Sequence, residues 1–250
     1  VDRQPPSDGR YDVNPSEHPG SAPGDGRAPG RRSTILDVFG RHVAERGFER
    51  ANFGDIAAEL GISKGTIVHH FGTKSVLLRE LQERYMRRRL AEAETLLDNT
   101  AGADEQLAAL IYAFVNYQVV DRTSTVAFQR EVVQLLDDET LATVRRQRAD
   151  YRRLVRDVIR DGIDTGLFRR CDEDIVSLYI FGSVHWMWTW FDPDGHAPVD
   201  HIASEYVATT LRGLVIDDSR VERLSDPNGT IAELVRHTLE AANDNHAVQR

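Results

Sequence analysis

The chain has 250 residues, 40% hydrophobic and 28% charged, with a net charge of −9 and a single cysteine, Cys171. That composition suits a globular protein with a sizeable core, and one cysteine excludes internal disulfides and a cysteine-based zinc site. The acidic total hides a division: residues 31–90 hold twelve Lys+Arg against seven Asp+Glu, while the remainder carries a balance of −14. A basic segment in an acidic chain points to a nucleic-acid surface.

In chain order, residues 1–30 are rich in Pro and Gly and poor in residues that can bury, which predicts a disordered arm. It contains no apolar secretory stretch. The longest apolar run, between Asp174 and Asp192, is slightly short of a bilayer span and contains His185. The expectation is a cytoplasmic protein with no membrane partner.

Ile35, Val38, Phe39, His42 and Val43 recur at helical spacing until Gly47. Asn52 is placed to cap FGDIAAEL, which Gly61 ends; Ser63 caps the two-turn KGTIVHHF; Thr73 caps a long helix from Lys74 to about residue 97. Further helices are expected near 104–121, 125–136, 138–165, 172–191 and 198–215, with Gly162 and Gly166 fraying the third of these. An amphipathic stretch over 230–242 precedes a flexible tail, 243–250. No segment alternates with period two, so the fold class is all-α. The organisation is a three-helix headpiece over 31–78, a connecting helix over 74–97, and a C-terminal helical domain over 98–242.

Two short helices joined by Gly61-Ile62-Ser63 make a helix-turn-helix. At the start of the second, Ser63, Lys64 and Thr66 offer donors to phosphates or base edges, and free backbone N–H groups add to the pull on anions. Gly65 permits close backbone approach, and His69 and His70 extend donors along the helix. Lys64 and Lys74 are the only lysines, the other 29 Lys+Arg being arginine. A compact ammonium on a flexible stem fits a tight approach better than a broad guanidinium. Lys74, opening the next helix, is expected on a flanking phosphate.

Residues 31–78 resemble the DNA-binding domain of the TetR (tetracycline repressor) family. The resemblance is carried by Phe39, Ala44-Glu45-Arg46-Gly47-Phe48, Asp55-Ile56-Ala57, Gly61-Ile62-Ser63-Lys64-Gly65-Thr66, His69-His70-Phe71 and Lys74. It implies a homodimer on a palindromic double-stranded operator. Val68 stands where the family usually has an aromatic, Ala51 where threonine is common and Gly54 where a polar residue is common. Operator contact is therefore expected from Lys64, Thr66, His70 and Lys74, with Arg31, Arg32 and Asn52 close by. Phe39, Ile56, Ile67 and Phe71 are core.

The resemblance also implies an effector-binding, dimerising second module. The 172–191 helix is apolar almost all round and must be buried on several sides. With Ile202, Tyr206 and Leu211 of the following helix it predicts an intersubunit bundle that includes Trp188 and Trp190. A small-molecule pocket is expected from Phe114, Tyr117, Gln118, Phe128, Arg130, Glu131, Tyr151, His185 and Trp186. The segment 166–196 looks like the lipid- and acyl-CoA-responsive branch of the family, which implies an acyl-CoA effector. Arg145, Arg146, Arg148, Arg152 and Arg153 are then candidates for the CoA phosphates. Two readings stand beside this one: an efflux regulator responding to hydrophobic drug-like compounds, and an architectural DNA binder without an effector. Catalytic motifs, metal-ligand spacing and cofactor signatures are lacking, so no enzyme, metal or cofactor is expected.

Overall fold

The computed structural model describes residues 30–131 and 139–248. Residues 1–29 of the predicted 1–30 arm and the end of the predicted 125–136 helix lie outside the described residues. The headpiece is α1 (Arg31–Arg46), α2 (Phe53–Leu60) and α3 (Lys64–Phe71), joined by α4 (Lys74–Asp98) to a second helical layer. That layer comprises α5 (Ala103–Val120), α6 (Arg122–Arg130), α7 (Ala142–Asp164), α8 (Glu173–His185), α9 (Val199–Leu214), α10 (Val221–Leu224) and α11 (Thr230–Val248). Among the described residues there is no strand, only an isolated bridge between Phe168 and Val215.

The headpiece helices begin where short polar side chains satisfy their open N–H groups. Asn52 accepts from the Gly54 and Asp55 amides at 2.9 and 3.0 Å, Ser63 from Thr66 at 3.1 Å and Thr73 from Val76 at 3.3 Å. Each such cap contributes about 1 kcal/mol. Gly61 closes α2 in the left-handed region at φ 62°, which turns the chain into α3. Ile35, Phe39, Val43, Ile56 and Ile67 are fully buried between the three helices.

The most enclosed helix is α5, not the predicted 172–191 segment. Leu107 to Val115 of α5 are all buried or nearly so, with α7, α9 and α11 packed around them. The 172–191 segment breaks at Trp186 into a 3-10 turn, and α8 leaves Ile175, Leu178 and Tyr179 open to solvent. Ile202 and Leu211, expected at a subunit interface, instead face inward into the core of their own chain, 7% and 0% exposed. A helix on the surface of one subunit buries its apolar stripe inward first, and α9 places that stripe on α5.

Two terminal expectations change as well. Helix α7 does not fray at Gly162: a Cβ there would stand 2.2 Å from the Phe168 ring, so the missing side chain is the seat for that ring. Gly166, at φ 75°, then reverses the chain. The expected tail at 243–250 is helical as far as Val248, and Asn243 donates to the Val120 carbonyl at 3.3 Å. No helix among the described residues is long and apolar enough to cross a membrane.

Candidate DNA-reading surface and effector cavity

The start of α3 is open. Ser63, Lys64 and Gly65 are exposed, Thr66 half-buried, and the Ser63 and Thr66 hydroxyl oxygens lie 3.0 Å apart. Lys64 runs over Gly54: a Cβ at Gly54 would stand 2.9 Å from Lys64 Cε and 3.2 Å from Nζ. Val68 is exposed, as are His69 and Arg31, while His70 is half-buried with its ring 5.7 Å from that of His69.

Other predicted DNA contacts are already engaged within the headpiece. Lys74 Nζ donates to the Phe48 and Glu49 carbonyls at 2.9 and 3.1 Å and lies 4.4 Å from the centre of the Phe48 ring. It staples the α1–α2 turn before it can meet a phosphate, with one N–H to spare. Arg32 stacks on Phe71, donates to the His70 carbonyl and pairs with Glu80. Asn52 is occupied as a cap, its amide also donating to Asp55 at 2.9 Å.

A cavity of about 490 Å³ lies between α4, α5, α6, α7 and α8, a size typical of small-molecule sites. Phe114, Tyr117, Phe128, Tyr151 and His185 line it as expected, joined by Tyr85 and Phe181. Tyr85 and Phe128 stack at 4.6 Å, and Phe114 contacts Tyr151 and Phe181 at 5.3 and 5.1 Å. His185 is pushed down to about 4 by burial first and Arg148 second, so it is neutral in the wall at neutral pH.

Four predicted pocket residues lie elsewhere. Gln118 is buried behind the wall and donates at 3.0 Å to Gln129, which does line the cavity. Trp186 projects to solvent, 64% exposed, because the break in α8 turns it outward. Arg130 and Glu131, at the end of α6, reach the headpiece instead. Arg130 donates to the Ala44 and Glu45 carbonyls at 3.1 and 3.3 Å, and Glu131 accepts from the Phe48 amide at 2.8 Å. Trp188, half-buried, lies against Arg130 of its own chain, 5.5 Å from ring centre to guanidinium.

At the mouth, between α7 and α8, stand Arg145, Arg148 and Arg152. Other arginines of α7 have carboxylate partners: Arg153 with Asp150 at 2.9 Å, Arg156 with Asp174 at 3.1 Å and Arg160 with Glu173 at 2.8 Å. Arg148 and Arg152 have no carboxylate within 4 Å among the described residues. Protein crowding, and then like-charged Arg152, pull the Arg148 guanidinium below its ordinary value. Of the other predicted phosphate contacts, Arg146 bonds Thr143 at 3.5 Å and Arg153 is the pair just named; neither lines the cavity.

The cavity wall also holds a buried residue that sequence reasoning missed. Arg89 of α4 is only 3% exposed, its guanidinium 3.9 Å from the centre of the Tyr117 ring and 5.0 Å from that of Tyr85. It pairs with Glu92 at 3.0 Å and Asp121 at 3.4 Å, and Arg88 reaches the same two carboxylates at 2.9 and 3.5 Å. Burial pushes Glu92 up from the usual carboxylate range, opposed by both arginines, and burial raises the Tyr85, Tyr117 and Tyr151 hydroxyls.

The exposed apolar groups of α8 form a stripe through Ile175, Leu178, Tyr179 and Trp186, spaced along one side of the helix. Tyr206 of α9 is half-buried beside it and donates to the Ser183 carbonyl at 3.3 Å, while Trp190 is 50% exposed beyond the turn.

Residues 35–81 match the model described as bacterial regulatory proteins, tetR family, and residues 100–214 match the tetracyclin repressor-like C-terminal domain. The chain belongs to the tetR family. It is therefore a DNA-binding transcriptional regulator whose helix-turn-helix is α2–α3. It is 27% identical over 190 residues to the HTH-type transcriptional repressor KstR2 of Mycobacterium tuberculosis, covering 76% of this chain and 95% of the relative. The Rhodococcus jostii KstR2 is also 27% identical, over 188 residues, covering 74% and 91%. The solved structure of the ketosteroid regulator KstR2 of Mycobacterium tuberculosis superposes with a TM-score of 0.69 at 26% identity, over 77% of this chain and 98% of the other. AibR in complex with isovaleryl coenzyme A and operator DNA gives 0.64 at 26%, over 72% and 97%.

Proposed function

We propose that this tetR-family regulator is a repressor. It binds a palindromic operator as a dimer and releases it when an acyl-CoA thioester from fatty-acid or sterol breakdown enters the cavity. The observation that carries this reading is the couple Arg148 and Arg152, without a carboxylate partner among the described residues, at the mouth of an aromatic cavity. An apolar chamber with two uncompensated cations at its entrance suits a ligand with an apolar tail and an anionic head. Relatives described as a ketosteroid regulator and as a complex with isovaleryl coenzyme A support the same class. A cationic drug-like effector would meet repulsion at that entrance. An architectural role without an effector leaves the cavity unexplained.

Two routes lead from the cavity to the headpiece. Helix α4 carries Tyr85 and Arg89 in the wall and begins at Lys74, while α6 carries Phe128 and Gln129 in the wall and ends on α1 through Arg130 and Glu131. A ligand that fits only one arrangement of these helices biases the spacing of the two α3 readers. We place Ser63, Lys64, Gly65 and Thr66 at the operator, and the α8 stripe with Tyr206 and Trp190 between subunits.

Titration calorimetry with CoA thioesters, free acids and cationic dyes tests the effector class. Thioesters are expected to bind, and Arg148→Ala with Arg152→Ala to weaken them about tenfold or more. Equal affinity for the matching thioesters of N-acetylcysteamine, which lack phosphates, would remove the acyl-CoA reading. Footprinting on genomic fragments, repeated with bound thioester, checks operator choice and release.

A further inference from the structure

Among the described residues of the headpiece, Val68 is the one large apolar side chain that stands open to solvent, 49% exposed. A single exposed valine is ordinary on a protein surface. Its place is not ordinary. It lies on α3, whose inner face is Ile67 and Phe71, both buried, and whose outer face is Lys64, Gly65, Val68 and His69. Lys64 and His69 bring hydrogen-bonding nitrogens to that face, and Val68 brings only carbon. Neither phosphate contact nor hydrogen bonding to base edges can use it.

Two neighbours leave Val68 uncovered. Lys64, one turn earlier, leans over Gly54 of α2, where a Cβ would stand 2.9 Å from its Cε. Gly65 carries no side chain, although a Cβ there would meet only Ser63 Oγ at 3.4 Å, an ordinary contact. Its φ is not positive. Neither space nor backbone geometry within the headpiece therefore calls for glycine, which is a poor helix former. A bare backbone at that point lets the helix lie close against base edges. Valine needs that closeness, because its methyl groups end two bonds from Cα.

In the major groove the base pairs present donors and acceptors, with one prominent apolar group among them, the 5-methyl of thymine. Packed against Val68, that methyl and the valine methyls leave water together. A polar base edge in the same place would lose its water to carbon that cannot replace it.

We propose that Val68 reads the 5-methyl group of one thymine in each half-site of the operator. This rests on the placement of the start of α3 at the operator; effector class and release play no part in it. Val68 is thus a specificity-determining residue, and Lys64 supplies affinity beside it.

The full-length protein first selects its own operator by footprinting on genomic fragments. Each thymine of the protected sequence is then replaced by uracil, which pairs as thymine does and lacks only the methyl. Gel shifts compare the wild type, Val68→Ala and Lys64→Ala. For the wild type, one thymine in each half-site is expected to be sensitive, with binding about fourfold weaker for one replacement and about fifteenfold for both. Val68→Ala changes an exposed position and keeps the fold, which its thermal midpoint checks. It is expected to bind the thymine operator about as weakly as the wild type binds the uracil one, and not to distinguish the two. Lys64→Ala is expected to weaken binding to both and keep their ratio. The absence of any uracil-sensitive thymine, or a sensitivity undiminished in Val68→Ala, overturns the proposal; α3 stays at the operator as long as Lys64→Ala weakens binding. If neither variant changes operator affinity, or no fragment is protected, the placement of α3 and the proposal both fall.

Discussion

Lysine at position 64 lies across the first turn of α2, where Gly54 leaves room for its stem. Ten residues on, Lys74 spends two of its donors on the turn between α1 and α2. The two lysines therefore fail in different ways when removed. Lys64→Ala is expected to leave the thermal midpoint within error and weaken operator binding roughly tenfold, because a groove contact is lost and nothing is unpacked. Lys74→Ala strands two carbonyls and uncovers Phe48, at about 2–3 kcal/mol of headpiece stability, with DNA affinity falling as a consequence. Denaturant titrations run beside gel shifts separate them. Unchanged stability in Lys74→Ala would contradict the stapling role. Lys64→Arg is expected to weaken binding too, since a planar guanidinium does not fit above Gly54.

At the scale of single helices, local signals were enough where the chemistry is local. Caps at Asn52, Ser63 and Thr73 and the stop at Gly61 are short-range geometry, and all four positions do what their residue types suggest. The aromatic cavity lining at Phe114, Tyr117, Phe128 and Tyr151 was legible because helical spacing gathers those rings on inward faces. Arg89 was not legible: in the run Arg87-Arg88-Arg89 a solvated face is the ordinary expectation, and only packing of α5 and α7 over α4 encloses one of the three. Arg130 and Glu131 failed for the opposite reason. Polar residues beside Phe128 suggest a pocket, but the end of α6 points across to α1, a contact 86 residues away along the chain from Arg130 to Ala44. Under the proposed release mechanism, that contact makes α6 a coupling element. Arg130→Ala with Glu131→Gln is expected to leave effector affinity nearly unchanged and reduce the effector's power to release DNA several-fold. Calorimetry and gel shifts on one preparation measure the two terms; release as complete as in the wild type would assign coupling to α4 alone.

For the whole molecule, net acidity and local basicity divide the labour. The acidic body keeps non-specific DNA contact low, and the basic headpiece provides the duplex surface. Sequence could place the two modules but could not say which helices lie inside, because α5 and the 172–191 segment are both apolar throughout. Enclosure of α5 by α7, α9 and α11 is settled by tertiary packing, and α8 keeps its stripe open. Tyr179→Glu combined with Leu178→Glu is expected to shift the protein to a monomer in analytical ultracentrifugation while its helical content is retained. A dimer that survives both charges would move the subunit contact elsewhere.

Leu178 and Gly182 belong at once to the exposed side of α8 and to the rim of the cavity. In the proposed dimer a neighbouring subunit seated there becomes part of the doorframe, and occupancy and pairing are then bound into one thermodynamic cycle. Dilution alone would then retune the sensor: a scarce regulator answers its metabolite at a different threshold from an abundant one.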